Sequence, residues 1–203
     1  MKRVAFSEVA RATVRPLRTY DALGAPGPQS GDARAAFGHA LFTLFAVAAF
    51  VSFTAAGRLV AAHLLWTVLF WSFLPLVQLG ALALALRLVA RDRSLAFAAR
   101  LYFAGHGPWL VFMLALSFVC LFAGDVYVAM MRLLTLGILP GALVLAFVWG
   151  GVLTWATFRR GLRLTRGRAA LATTLYYVAF ISAIVGYYYV TDQIRPQFFG
   201  VPS

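Results

Sequence analysis

Five long apolar runs dominate the chain, at roughly 36–56, 61–86, 104–123, 133–157 and 169–190. A helix needs about 20 predominantly apolar residues to cross the hydrocarbon layer, and each run meets that length. The pattern predicts an all-α, polytopic integral membrane protein, a bundle of about five transmembrane helices. The second and fourth runs are long, so tilt or protrusion is expected. Three regions follow: an N-terminal segment over 1–35, a five-span domain over 36–190, and a short tail over 191–203.

The N-terminal segment is the only sizeable polar stretch. Residues 4–15 read as an amphipathic helix. Glu8, Arg11 and Arg15 recur at spacings of three and four, opposite Phe6, Val9, Ala10 and Val14. Pro16 ends or kinks this helix. Ala25-Pro26-Gly27-Pro28-Gln29-Ser30-Gly31 reads as a linker. The helix is expected to lie on a membrane surface or to fray into water. Met1 to Arg15 is basic with no apolar core behind it, so the first span is expected to serve as an uncleaved signal.

Inside the segment before the third run, Leu95, Ala98, Leu101 and Tyr102 share a helical face, and Gly105-His106-Gly107-Pro108 breaks the pattern. A proline in a first turn costs no hydrogen bond. A surface helix turning sharply into the third span at about Pro108 is the expectation.

Composition sharpens the membrane assignment. Of 203 residues, 63% are hydrophobic and 12% charged, about half the charge of a soluble domain. A soluble chain this small could not hide that apolar surface. The formal net charge is +12, from eighteen basic and six acidic residues. Basicity of this kind fits nucleic acid or an anionic membrane surface. The basic residues here sit at the ends of apolar runs, which favours the membrane surface and argues against nucleic acid.

Their distribution gives an orientation. Lys2, Arg3, Arg11, Arg15, Arg18, Arg34, Arg87, Arg91, Arg93, Arg100, Arg159, Arg160, Arg163, Arg166 and Arg168 fall on one side, against Arg58, Arg132 and Arg195 on the other. The positive-inside rule places the larger group in the cytoplasm. The N-terminus is then inside and the C-terminus outside, which requires an odd number of spans. Tyr187, Tyr188 and Tyr189 suit the outer interface, and Trp109 and Trp155 the inner one.

Candidate chemistry is sparse. The acids Glu8, Asp21, Asp32, Asp92, Asp125 and Asp192 all fall in loops or at span ends. An ion-coupled carrier would need a carboxylate near the midplane. His39 and His106 lie at similar depth near the inner ends of spans one and three, and could share a haem iron or a metal. His63 lies at the other end of span two. The simpler reading is that each histidine bonds backbone or water, and no cofactor or metal is expected. Cys120 is alone and reads as a small buried apolar side chain. No Gly-x-Ser-x-Gly elbow surrounds Ser52, Ser72, Ser117 or Ser182, and no catalytic residue is assigned. Pro75 and Pro140 are expected to kink spans two and four. Asp125 and Arg132 could pair across the hairpin between spans three and four.

Two stretches carry a resemblance. One is Ser94-Leu95-Ala96-Phe97 through Tyr102, Gly105 and Pro108-Trp109. The other runs from Trp149 through Gly161-Leu162 to Gly167-Arg168-Ala169-Ala170. With five spans, a basic N-terminal segment and a short tail, the chain resembles bacterial members of the Yip/Yif family of five-span membrane proteins. The resemblance implies a compact five-helix domain and supplies no catalytic residue. The Asp-Leu-Tyr-Gly-Pro motif of eukaryotic members is absent, so their small-GTPase binding is not carried over.

Function is therefore expected to be non-enzymatic: an adaptor, assembly factor or accessory subunit acting through lipid and protein contacts. The alternatives are a small transporter or channel, and a haem- or metal-binding membrane subunit. Arg159, Arg160, Arg163, Arg91, Arg93 and Arg100 are the candidate contacts to anionic headgroups or a partner. Other membrane proteins or further copies of the chain are the expected protein partners.

Overall fold

The computed structural model describes the backbone of residues 5–122 and 126–199, and the side chains of 9–119, 122 and 127–191. Two short helices come first, α1 (Ala5–Val14) and α2 (Pro16–Gly24), then α3 (Asp32–Ala56). Helices α4 (Ala61–Trp71) and α5 (Phe73–Val89) follow in line, as do α6 (Leu95–Ala104) and α7 (Gly107–Phe122). Then come α8 (Val126–Thr135), α9 (Ile138–Ala156), a π-helical turn (Thr157–Gly161) and α10 (Arg166–Phe199). No strand occurs among the described residues.

Five segments are long and apolar enough to cross a membrane: Asp32–Ala56, Ala61–Val89, Leu95–Val119, Ile138–Gly161 and Arg166–Thr191. Only 17 to 44% of the most apolar stretch of each is buried within the protein. Lipid must solvate the rest, because this much exposed apolar surface is untenable in water. The fold is an all-α polytopic bundle.

The interruptions have identifiable causes. Pro75 cannot donate to the carbonyl one turn back and its ring crowds that turn. The second span breaks at Ser72, whose hydroxyl donates to the Leu69 carbonyl at 2.7 Å. Pro140 behaves differently from the expected kink, because α9 begins only at Ile138 and the proline falls in its first turn. Gly137, at φ +71°, separates α8 from α9, so the fourth span starts later than the apolar run. Left-handed backbone of this kind is where glycine is favoured. At the end of α3, Gly57 (φ +63°) turns the chain, and the Ser52 hydroxyl bridges the turn. It donates to the Arg58 carbonyl at 2.8 Å and accepts from the Val60 amide at 2.7 Å.

The core sits at one end of the bundle, the end that carries α1, α2 and the π turn; we call it the basic end. Tyr20, Leu82, Leu101, Phe103, Phe158, Leu162 and Tyr176 meet there, all essentially inaccessible. Helix α6 lies at the centre of this end, against α1, α2, α3, α5 and the π turn. The expected surface helix is thus an interior one, and instead of turning sharply into the third span it forms the first part of it, in line with α7 over Leu95–Val119. Its exposed start, Leu95, gives way to Phe97, Ala98, Ala99 and Leu101 through Ala104, all buried. The Ser94 hydroxyl caps it by accepting from the Phe97 amide. Helix α10 packs along α5, and α4 along α3.

The N-terminal helices also differ from expectation. Val9, Ala12, Pro16, Tyr20 and Gly24 are buried. Their spacings of three and four run as one stripe through the break at Arg15, and it faces α6, α7, α9 and the π turn. The segment docks on the bundle rather than lying apart from it. The Trp149 indole of α9 donates to the Thr13 carbonyl at 2.9 Å, at the end of α1.

Candidate functional site

The structure brings His39 and His106 into one neighbourhood at the basic end, both buried. His39 projects from the second turn of α3, and His106 sits in the break between α6 and α7. Thr43 joins them. Its hydroxyl lies 3.3 Å from the His106 Nδ1 and 3.0 Å from the His39 carbonyl. The His106 ring meets Tyr102 and Phe103 edge-on, with centroids 5.2 Å away in both cases. These contacts hold the α6–α7 break against α3. Among the described residues no group of three or more His, Cys, Asp or Glu side chains could hold a metal ion. His63 lies on α4, outside this cluster.

A polar network surrounds the pair. The hydroxyls of Tyr102 and Tyr176 hydrogen-bond each other, tying α6 to α10. Tyr177 and Thr154 approach to 3.3 Å, linking α10 to α9. The Arg100 guanidinium meets the Asp32 carboxylate at 3.0 Å, with only 15% and 2% of the side chains exposed. The second Asp32 oxygen accepts the Gln29 amide at 2.7 Å. Tyr20 is fully buried beneath α2, and burial pushes its phenol up to about 12. The nearby Thr157 hydroxyl pulls weakly the other way. That hydroxyl donates to the Leu153 carbonyl, and the Tyr20 oxygen has no hydrogen-bond partner of ordinary geometry among the described residues.

The six candidate contact arginines separate into two kinds. Arg100 is a structural cation, turned inward onto Asp32, and offers little to lipid. Arg159 is half-buried and donates to the Leu164 carbonyl at 2.9 Å, closing the π turn. Arg160, Arg163, Arg91 and Arg93 are exposed. Arg160 stands 3.8 Å from Asp21, and Arg93 3.4 Å from Asp92. Both pairs are solvent-exposed, so water screens them and leaves the arginines available. Arg163 holds a left-handed backbone at φ +56° where the chain leaves the π turn.

Sequence reasoning missed the role of Arg87, which lines a cleft with Arg91 and Arg93 at the end of α5. The arginine spacing of four was visible, but the turn that adds Arg93 was not. It also missed Asp32 as the partner of Arg100, since the two lie 68 positions apart. The proposed Asp125–Arg132 pair and the Cys120 side chain lie outside the described residues. Ser52, Ser72 and Ser117 all bond backbone carbonyls, which accounts for their hydroxyls structurally. Comparison with protein-family models, curated proteins and solved structures returns no match.

Proposed function

We propose that this chain is a non-enzymatic, multi-pass membrane protein that serves as an adaptor, assembly factor or accessory subunit of a membrane complex. The supporting observation is how its polar groups are used. The Arg100–Asp32 pair, the Tyr102–Tyr176 pair and the Trp149–Thr13 bond each join two helices, and the Thr43–His106 contact joins α3 to the break between α6 and α7. Interior polar chemistry is thereby spent on holding the basic end together. The surfaces left for other molecules are exposed arginines at that end and exposed apolar faces of α4, α9 and α10, such as Trp66, Phe147 and Ile181. Surfaces of these two kinds suit anionic headgroups and other spans, including further copies of the chain.

In this reading the basic end faces the cytoplasm of a bacterial cell, the protein sits in the inner membrane, and the C-terminus is outside. Membership of the Yip/Yif family is part of the proposal and rests on the layout and the two stretches named above. Gentle purification from the native membrane tests it: a stoichiometric membrane-protein partner, or a homo-oligomer, is expected. A lone monomer that drives solute flux in liposomes would replace the reading with transport. A Soret band lost in both His39→Ala and His106→Ala would replace it with a haem subunit.

A further inference from the structure

Helix α5 ends at Val89, and the chain turns through 90–94 into α6. A cleft of about 280 Å³ opens at this turn. Its floor is apolar, made by Leu86, Ala90 and Leu95, and Arg87, Arg91 and Arg93 stand around it. Arg91 is braced, its Nε donating to the Arg87 carbonyl at 2.8 Å. Asp92 is the one acid at the turn; it pairs with Arg93 at 3.4 Å, and both side chains are well exposed. Three cations against one screened carboxylate leave the cleft strongly positive.

The helix face that ends at the cleft runs back along the second apolar span, Ala61–Val89. Positions 76, 80, 83 and 87 recur at spacings of three and four, so they share one stripe of α5 with the cleft at its end. Leu76 and Gly80 are exposed on that stripe. A Cβ built on Gly80 would meet nothing within 4 Å, so the face of α5 is open at Gly80 and leaves an apolar track along the helix surface between the cleft and Leu76.

We propose that this cleft and track bind one anionic glycerophospholipid, its phosphodiester on Arg87, Arg91 and Arg93 and an acyl chain along Leu76, Gly80 and Ala83. Guanidinium groups match phosphate oxygens in planar, two-pronged hydrogen bonds. A free phosphate has no use for the apolar floor, and a soluble acidic peptide has none for a track that enters the bilayer. The site deepens the lipid half of the proposed function. The test uses purified protein without partners, so its failure leaves the protein-partner half standing.

The experiment is native mass spectrometry of the full chain in detergent, titrated with phosphatidylglycerol, phosphatidylcholine or inorganic phosphate. Wild type should retain phosphatidylglycerol in preference to phosphatidylcholine, and millimolar phosphate should not displace it. Arg87→Gln/Arg91→Gln/Arg93→Gln should weaken retention by at least about tenfold, since each arginine near an anionic headgroup is worth roughly fivefold. Arg18→Gln/Arg166→Gln/Arg168→Gln removes the same charge from exposed positions elsewhere on the basic end and should stay near wild type. Gly80→Leu fills the track without changing charge or threatening the helix, and should also weaken retention. Equal losses in the two arginine triples, equal binding of phosphatidylcholine, displacement by phosphate, or a Gly80→Leu variant that binds like wild type would each overturn the site.

Discussion

Arg100 of α6 and Asp32 at the start of α3 form an ion pair at 3.0 Å that is almost wholly inside the protein. Removing one member of such a pair strands the other charge, at a cost of about 3 kcal/mol. Asp32→Asn and Arg100→Gln should each lower thermal stability in detergent by about that much. The double variant should lose clearly less than the sum, with a coupling of about 1 kcal/mol or more. Simple additivity would show that the pair does not lock α6 to α3.

Tyr20 makes the opposite kind of prediction. Its ring fills the core, but among the described residues its buried hydroxyl finds no hydrogen bond of ordinary geometry. Deleting an unsatisfied hydroxyl removes a desolvation cost of about 1 kcal/mol or more. Tyr20→Phe should therefore raise the melting temperature at neutral pH.

The same residue gives a pH dependence. Its phenol ionises near 10 when unfolded and about 12 when folded. Between those values the unfolded chain holds fewer protons than the folded one, so stability falls as pH rises. The contribution is fully present below pH 10 and is lost by about 3 kcal/mol across the window. The difference in stability between wild type and Tyr20→Phe should shift in favour of the variant over that range. A difference that stays constant with pH would contradict the buried phenol.

The docked N-terminal segment depends on a close backbone approach. A Cβ on Gly24 would lie 2.5 Å from the Gly161 carbonyl oxygen and 3.0 Å from its Cα, backbone that cannot swing aside. Overpacking of this sort costs about 1 to 3 kcal/mol. Gly24→Ala should loosen α2 from the π turn and speed tryptic cleavage after Arg15 or Arg18. Gly31→Ala, where the added carbon meets nothing within 4 Å, should leave cleavage unchanged.

Much of this architecture is legible in the chain, and the exceptions share a cause. Five spans, the break near Pro108 and the clustering of arginine at one end follow from run length and position alone. The burial of α6 does not. Its Leu95-Ala98-Leu101-Tyr102 face reads as one side of a surface helix, but Phe97, Ala99 and Phe103 on the other sides are covered too, by α1, α2 and the π turn. Those covering elements read individually as a polar tail and a basic loop. The stripe Val9, Ala12, Pro16, Tyr20 and Gly24 was the available signal, obscured because Pro16 splits it between two helices. Arg100 likewise reads as one more interfacial cation until folding brings Asp32 beside it.

Topology tests the account most directly, because every assignment made for the basic end requires α1, the 90–94 turn and the π turn to lie on one side. Paired periplasmic- and cytoplasmic-active reporters fused after Ser203 and within 162–165 should report opposite sides of the membrane, with the 162–165 fusion cytoplasmic. Both fusions on the same side would contradict a five-span bundle with a single basic face.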